Sequence, residues 1–237
     1  RMRTTSRILY GIYGIMTLIL VVLLCLFGMK PFDSFCIAFG TAGTGGFAVS
    51  SAGIAGYNSL AIEVTLGIFM LLFGVNFTVY HLIMLRKIKD ALFMEEVRAY
   101  FAIVAAATVA ITWNILSFAG GLGNALRQAF FQVTSIITTT GFATVDFELW
   151  PEFSKHMLLL LMVVGACAGS TGGGMKVSRV LIIVKSFVAE IRQIINPKAI
   201  VTVRVNGKPV DRKTLSSTRI YAAAYMLLLC LFTLVIS

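Results

Sequence analysis

Apolar residues run along this chain in blocks too long to be the buried faces of soluble helices. Five blocks read as membrane spans: Ile8–Gly28, Ser59–Leu85, Tyr100–Phe118, Phe153–Ala189 and Ser217–Ile236. The fourth is too long for one straight crossing and is interrupted by glycines. Two further apolar segments, Pro31–Phe47 and Ala125–Phe142, are too short, because a spanning helix needs about 20 residues. Short apolar runs beside full spans predict re-entrant segments, which enter the membrane and return on the same side. The pattern therefore predicts an all-α polytopic membrane protein with short re-entrant helices between its spans.

Composition supports the same class. Apolar residues make up 58% of the chain and charged residues 13%, against about 45–50% and 25% in soluble domains. The interior of a soluble protein of this length is too small to hide that surface, whereas a bilayer accepts it. The net charge of +10 follows the membrane pattern too. With the N-terminus in the cytoplasm, Arg1, Arg3 and Arg7, then Arg86, Lys87, Lys89 and Arg98, then the cluster from Arg179 to Arg219 all fall inside. Of 20 basic residues, Lys30, Arg127 and Lys155 alone fall outside, which is the asymmetry that sets membrane orientation. No basic groove interleaved with aromatics is present, so nucleic acid is excluded as a partner.

Other residues add little chemistry. Cys25, Cys36, Cys167 and Cys230 have neither disulfide nor zinc spacing, and His81 and His156 are too far apart for a local metal site. No cleavable leader is legible. The chain opens on Arg1 and closes inside an apolar block, and so reads as part of a longer protein. Ile200–Pro209, with valines at 201, 203 and 205 before Asn206-Gly207, reads as a short cytoplasmic hairpin.

The chain repeats itself. A shift of 95 positions superimposes the two re-entrant segments without gaps: Phe35 meets Phe130, Thr44 meets Thr139, and Gly46-Phe47-Ala48 meets Gly141-Phe142-Ala143. Repeated interrupted segments point to a transport site. In each copy a short helix ends in a Gly/Thr-rich stretch. Non-helical backbone at membrane depth survives only where protein buries it or where it lines a watery cavity, and its carbonyls then replace the water shell of a cation. Glycines at 46 and 141 permit positive φ, and Phe47 and Phe142 are expected to wedge each turn against its surroundings. The outer acids Asp146, Glu148 and Glu152 would concentrate cations at such a mouth.

Gly165 to Lys176 carries five glycines in twelve residues. At about 1 kcal/mol lost per glycine relative to alanine, the helix must break there, which makes the segment a candidate gate beneath a filter. Gly169 and Gly174 mimic the spacing of a phosphate-binding loop. However, Met175 separates Gly174 from Lys176, and Val177 stands where such loops place Ser or Thr. Ser170, with Lys176 or His156, leaves an intramembrane hydrolase as the rival from another class, and a membrane scaffold as a third reading. Asn76-Phe77-Thr78 has the form of a glycosylation triplet but lies inside a span, where a polar contact to neighbouring helices fits better.

The strings TSIITTTGFATVDFELWP and GACAGSTGGGMKVSR, with TAGTGGFA and VNFT upstream, resemble the Trk/Ktr/HKT superfamily of potassium transporters, and most of all its bacterial TrkH/KtrB membrane subunits. The resemblance covers essentially the whole chain. It implies four membrane–pore–membrane repeats around one pore, of which this chain carries about half: 1–98 as repeat two, 99–198 as repeat three, and 199–237 as a cytoplasmic connector with the first helix of repeat four. By resemblance Gly46 and Gly141 are filter glycines. Thr44, Gly45, Thr139 and Thr140 are carbonyl donors to the ion, and Phe47 and Phe142 complete the two filter segments. Gly165, Gly169, Ser170, Thr171, Gly172, Gly173, Gly174 and Lys176 belong to an intramembrane gating loop. The resemblance further implies channel-like potassium uptake with no covalent cofactor, a homodimer in a bacterial plasma membrane, and a cytosolic nucleotide-binding ring as partner. A sodium-permeable or sodium-coupled relative is the nearest alternative.

Overall fold

The computed structural model describes residues 2–196 and 202–236, so Arg1 and the first residues of the predicted hairpin, Ile200 and Val201, lie outside the described residues. The chain is helical, apart from one two-stranded hairpin. Helix α1 (Met2–Leu26) crosses first, and α2 (Pro31–Ala42) starts with proline at its first turn, where a missing N–H costs nothing. Then follow α3 (Leu60–Gly74), α4 (Phe77–Met84), α5 (Ile88–Leu92) and α6 (Glu95–Asn114). The second re-entrant helix is α7 (Leu122–Ile137). It is followed by α8 (Glu152–Val164), α9 (Val177–Ile195), the hairpin β1–β2 (Arg204–Val205 and Lys208–Pro209) and α10 (Arg212–Ile236).

Among the described residues three helices are long and apolar enough to cross a membrane: Arg7–Leu26, Glu95–Asn114 and Arg212–Val235. Large apolar side chains face outward, such as Trp113 at 81% exposure and Val235 at 80%. Such a surface suits lipid rather than water, and the chain is an integral membrane protein.

The second predicted span is corrected. Ser59–Leu85 is not one crossing helix but α3 and α4, bent by 88°. Much of the cause lies outside the segment. The last four carbonyls of a helix have no partner within it, and here each finds one elsewhere. Leu71 O accepts from the Tyr100 hydroxyl at 3.4 Å and Leu72 O from the Tyr80 hydroxyl at 2.7 Å. Phe73 O accepts from Thr171 Oγ1 at 3.4 Å, and Gly74 O from the Cys167 N–H at 3.0 Å. Val75 is extended, and the Asn76 side chain caps α4 by accepting the Thr78 N–H at 2.9 Å. Hydropathy registers none of this.

The fourth predicted span does break at its glycines, between α8 and α9. Two apolar clusters fill the interior. One joins α1, α2 and α3 around Leu20, Leu24, Ile37, Leu66 and Phe73, and the other joins α6, α7 and α8 around Tyr100, Ile111, Val133 and Leu158. Phe131 and Phe142 reach from the second re-entrant unit into the first cluster. Arg204 pairs with Pro209 and Val205 with Lys208 in the hairpin, and Asn206 and Gly207 take the turn at φ 50° and 73°.

Candidate functional site

The two re-entrant helices end in the same hydrogen-bonded turn, atom for atom, 95 residues apart. Thr44 N–H donates to Thr41 O at 3.2 Å, as Thr139 N–H does to Ile136 O at 3.0 Å. Gly45 and Gly46 N–H both point to Gly40 O, and Thr140 and Gly141 N–H both point to Ser135 O. The hydroxyls of Thr44 and Thr139 each donate to the preceding carbonyl, at 2.8 and 2.7 Å. Thr44 and Thr139 have φ 52° and 58°, and Gly46 and Gly141 have φ 67° and 90°. A threonine held in the left-handed region is strained by about 1–3 kcal/mol, and here it occurs twice in register. Among the described residues no protein group donates to the carbonyls of Thr44, Gly45, Gly46, Thr139, Thr140 or Gly141. These six acceptors lie on two matched turns.

The copies differ in what surrounds them. Phe142 is buried at 2% exposure and touches the helix of the first copy at Gly40, whereas Phe47 is 82% exposed. The expected wedge is therefore found at Phe142 and not at Phe47. The glycines show the reverse asymmetry. A Cβ at Gly46 would collide with the backbone carbonyl of Thr140, while one at Gly141 would meet nothing within 4 Å. Gly46 thus marks the point where the two turns touch.

The glycine-rich loop lies against both turns. Its ends are stitched together by Met175 N–H to Val163 O and Lys176 N–H to Val164 O, each 3.0 Å, with Gly165 and Gly174 packed backbone to backbone at φ 72° and 79°. Gly173 N–H donates to Thr139 Oγ1 at 2.6 Å, and Thr44 Oγ1 lies 3.2 Å from Thr171 O. A side chain at Gly172 would come within 2.9 Å of Thr138 O. Gly169 O accepts the Phe77 N–H at 3.1 Å, which seats the loop in the α3–α4 break. Ser170 Oγ donates to Cys167 O at 2.7 Å, and the Lys176 ammonium donates to Gly172 O. His156 bonds the Glu152 carbonyl on its own helix, so Ser170, Lys176 and His156 do not form a hydrogen-bonded catalytic group.

Two carboxylates escaped the reading of the sequence. Glu63, 5% exposed, forms a two-pronged pair with Arg127 at 2.6 Å, joining the first turn of α3 to the second turn of α7 beside a polar cavity of about 250 Å³. Glu96, 6% exposed, accepts the Ala168 N–H of the loop at 2.6 Å. An acidic residue inside a predicted span is the signal that would have found Glu63. The Glu95-Glu96 pair opening an apolar helix read only as a helix start. The outer acids are engaged locally instead: Asp146 Oδ1 accepts Glu148 N–H at 3.0 Å and Glu152 pairs with Lys155 at 2.6 Å.

Comparison with known proteins places the chain by sequence and by fold. The family model described as TrkH, cation transport protein, matches residues 1–237. The Trk system potassium uptake protein TrkG of Escherichia coli is 32% identical over all of this chain and 49% of its own length. TrkH of the same species is 32% identical over 96% of this chain and 48% of its own. The crystal structure of the potassium transporter TrkH from Vibrio parahaemolyticus superimposes with a TM-score of 0.91 at 31% identity, covering 99% of this chain and 52% of that one. The chain spans about half the length of the relatives it matches. By sequence along its full length and by fold, this chain belongs to the TrkH family of cation transport proteins.

Proposed function

We propose that these 237 residues form half of a potassium-uptake pore in a bacterial plasma membrane, with Thr44–Phe47 and Thr139–Phe142 as two of four filter segments. The observation that carries the reading is the pair of matched turns with six free carbonyls. Backbone oxygens that lack a protein donor at membrane depth replace ion hydration without any side-chain charge. Glycine at both filter positions favours potassium over the sodium-permeable alternative. Potassium is then the cargo, moving down its electrochemical gradient, and no covalent chemistry is required. The loop from Gly165 to Lys176 acts as the gate, since it contacts both turns from one side. The complete transporter works as a homodimer with a cytosolic nucleotide-binding ring on its basic face.

The test is rubidium uptake into proteoliposomes of the transporter in which this segment resides, with sodium as competitor. Wild type should show saturable flux that resists sodium, and Gly141→Ser should retain flux while losing that preference. Unchanged preference in Gly141→Ser would move the ion path elsewhere. Absence of flux with the regulatory partner supplied would reject the pore.

A further inference from the structure

Glu95 and Glu96, neighbours in the first turn of α6, make contacts in opposite directions. Glu96 reaches into the break between the two interrupted spans. One carboxylate oxygen accepts the Ala168 N–H of the glycine-rich loop at 2.6 Å, and the other lies 3.4 Å from the Asn76 side-chain amide. Burying a carboxylate is costly unless donors replace its water, and charged hydrogen bonds are about twice as strong as neutral ones. The bonds that tie the loop to the α3–α4 break and to the second turn are neutral: Cys167 N–H on Gly74 O, Phe77 N–H on Gly169 O, and Gly173 N–H on Thr139 Oγ1; the charged ones, from Lys176 to Gly172 O and from Arg179 to Met175 O, lie within the loop and at its α9 end.

Glu95 faces the cytoplasmic hairpin. Its backbone N–H donates to Asn206 Oδ1 at 2.8 Å, and its carboxylate pairs with Lys185 of α9. The Lys185 ammonium also donates to Arg204 O in β1, at 2.8 Å. The hairpin therefore holds the same helical turn that holds the loop. Asn206 sits at φ 50°, a conformation that presents its side chain from the turn and that glycine would keep without the side chain.

We infer that Glu96 is a positioning residue that pins the glycine-rich loop beneath the filter. The hairpin, acting through Asn206, Lys185 and Glu95, is the handle by which the cytoplasmic face releases it. The inference rests on the gating role proposed above for that loop. A cytosolic protein that displaces the hairpin would shift the first turn of α6, loosen Ala168 and free the loop, with no contact inside the membrane.

Cys167 provides a probe that does not depend on transport, because it adjoins Ala168 and is fully buried. In the full transporter with Cys167 as its sole thiol, modification by a charged methanethiosulfonate is timed in proteoliposomes, alongside rubidium flux. Glu96→Ala should label at least about tenfold faster than wild type. Asn206→Gly should label several-fold faster, and Glu96→Gln, which keeps an acceptor for Ala168, should fall between wild type and Glu96→Ala. Rubidium flux should rise in the same order with its preference over sodium intact. Wild-type labelling in both Glu96→Gln and Asn206→Gly would overturn the inference, even if Glu96→Ala fails to fold. Faster labelling with no rubidium flux in any form would keep the anchor and reject the pore. Normal flux with unchanged labelling would do the reverse.

Discussion

Gly46 and Gly141 are equivalent by repeat and unequal by surroundings. Gly46→Ser places a Cβ onto the Thr140 carbonyl at φ 67°, and Gly141→Ser places one into open space at φ 90°. Both add the strain of a positive φ, about 1–3 kcal/mol, but only the first adds a backbone collision. Gly46→Ser should therefore fail to give monodisperse protein on size exclusion, while Gly141→Ser should fold and unfold at a slightly lower temperature. Equal behaviour of the two would contradict the contact between turns. Thr139 is the other residue with two tasks, because its hydroxyl donates to Thr138 O and accepts from Gly173 N–H. Thr139→Val leaves Gly173 N–H without its partner, at a cost of about 1–3 kcal/mol, and Thr139→Ser keeps it. Denaturant unfolding in detergent should separate the two variants by that amount.

At the scale of elements, two interrupted spans complete each other. The α3–α4 break has carbonyls to satisfy and the glycine-rich loop supplies the N–H and hydroxyl groups. The loop in turn needs a donor for Gly169 O, and α4 supplies Phe77 N–H. Asn76→Ala removes both the α4 cap and the amide beside Glu96. It should lower stability by about 0.5–2 kcal/mol and speed amide exchange at Thr78 and Val79. Exchange at wild-type rates would show that the break is held without Asn76. The same pair of breaks shows how far a sequence can be read. Five glycines from Gly165 to Gly174 made one break legible. The other was invisible because Ser59–Leu85 is predominantly apolar with no glycine cluster, and most of the groups that satisfy its break, Tyr100, Thr171 and Cys167, lie 15 residues or more beyond its end. The turns at Thr44 and Thr139 were legible through the 95-residue repeat. Glu96 was not, since its partner Ala168 lies 72 residues away.

Across the described residues the two repeats meet unequally. Phe142 is buried against the preceding repeat and Phe47 is bare, while Gly46 is covered by the following repeat and Gly141 is open. The relatives are about twice as long as this chain. The central claim is that the two matched turns line one ion path. Anomalous diffraction from crystals of the complete transporter grown in thallium or rubidium salt tests this most directly. The account predicts ion density bounded by the carbonyls of Thr44 and Gly45 on one side and of Thr139 and Thr140 on another. Density confined to a site that touches neither turn would contradict it.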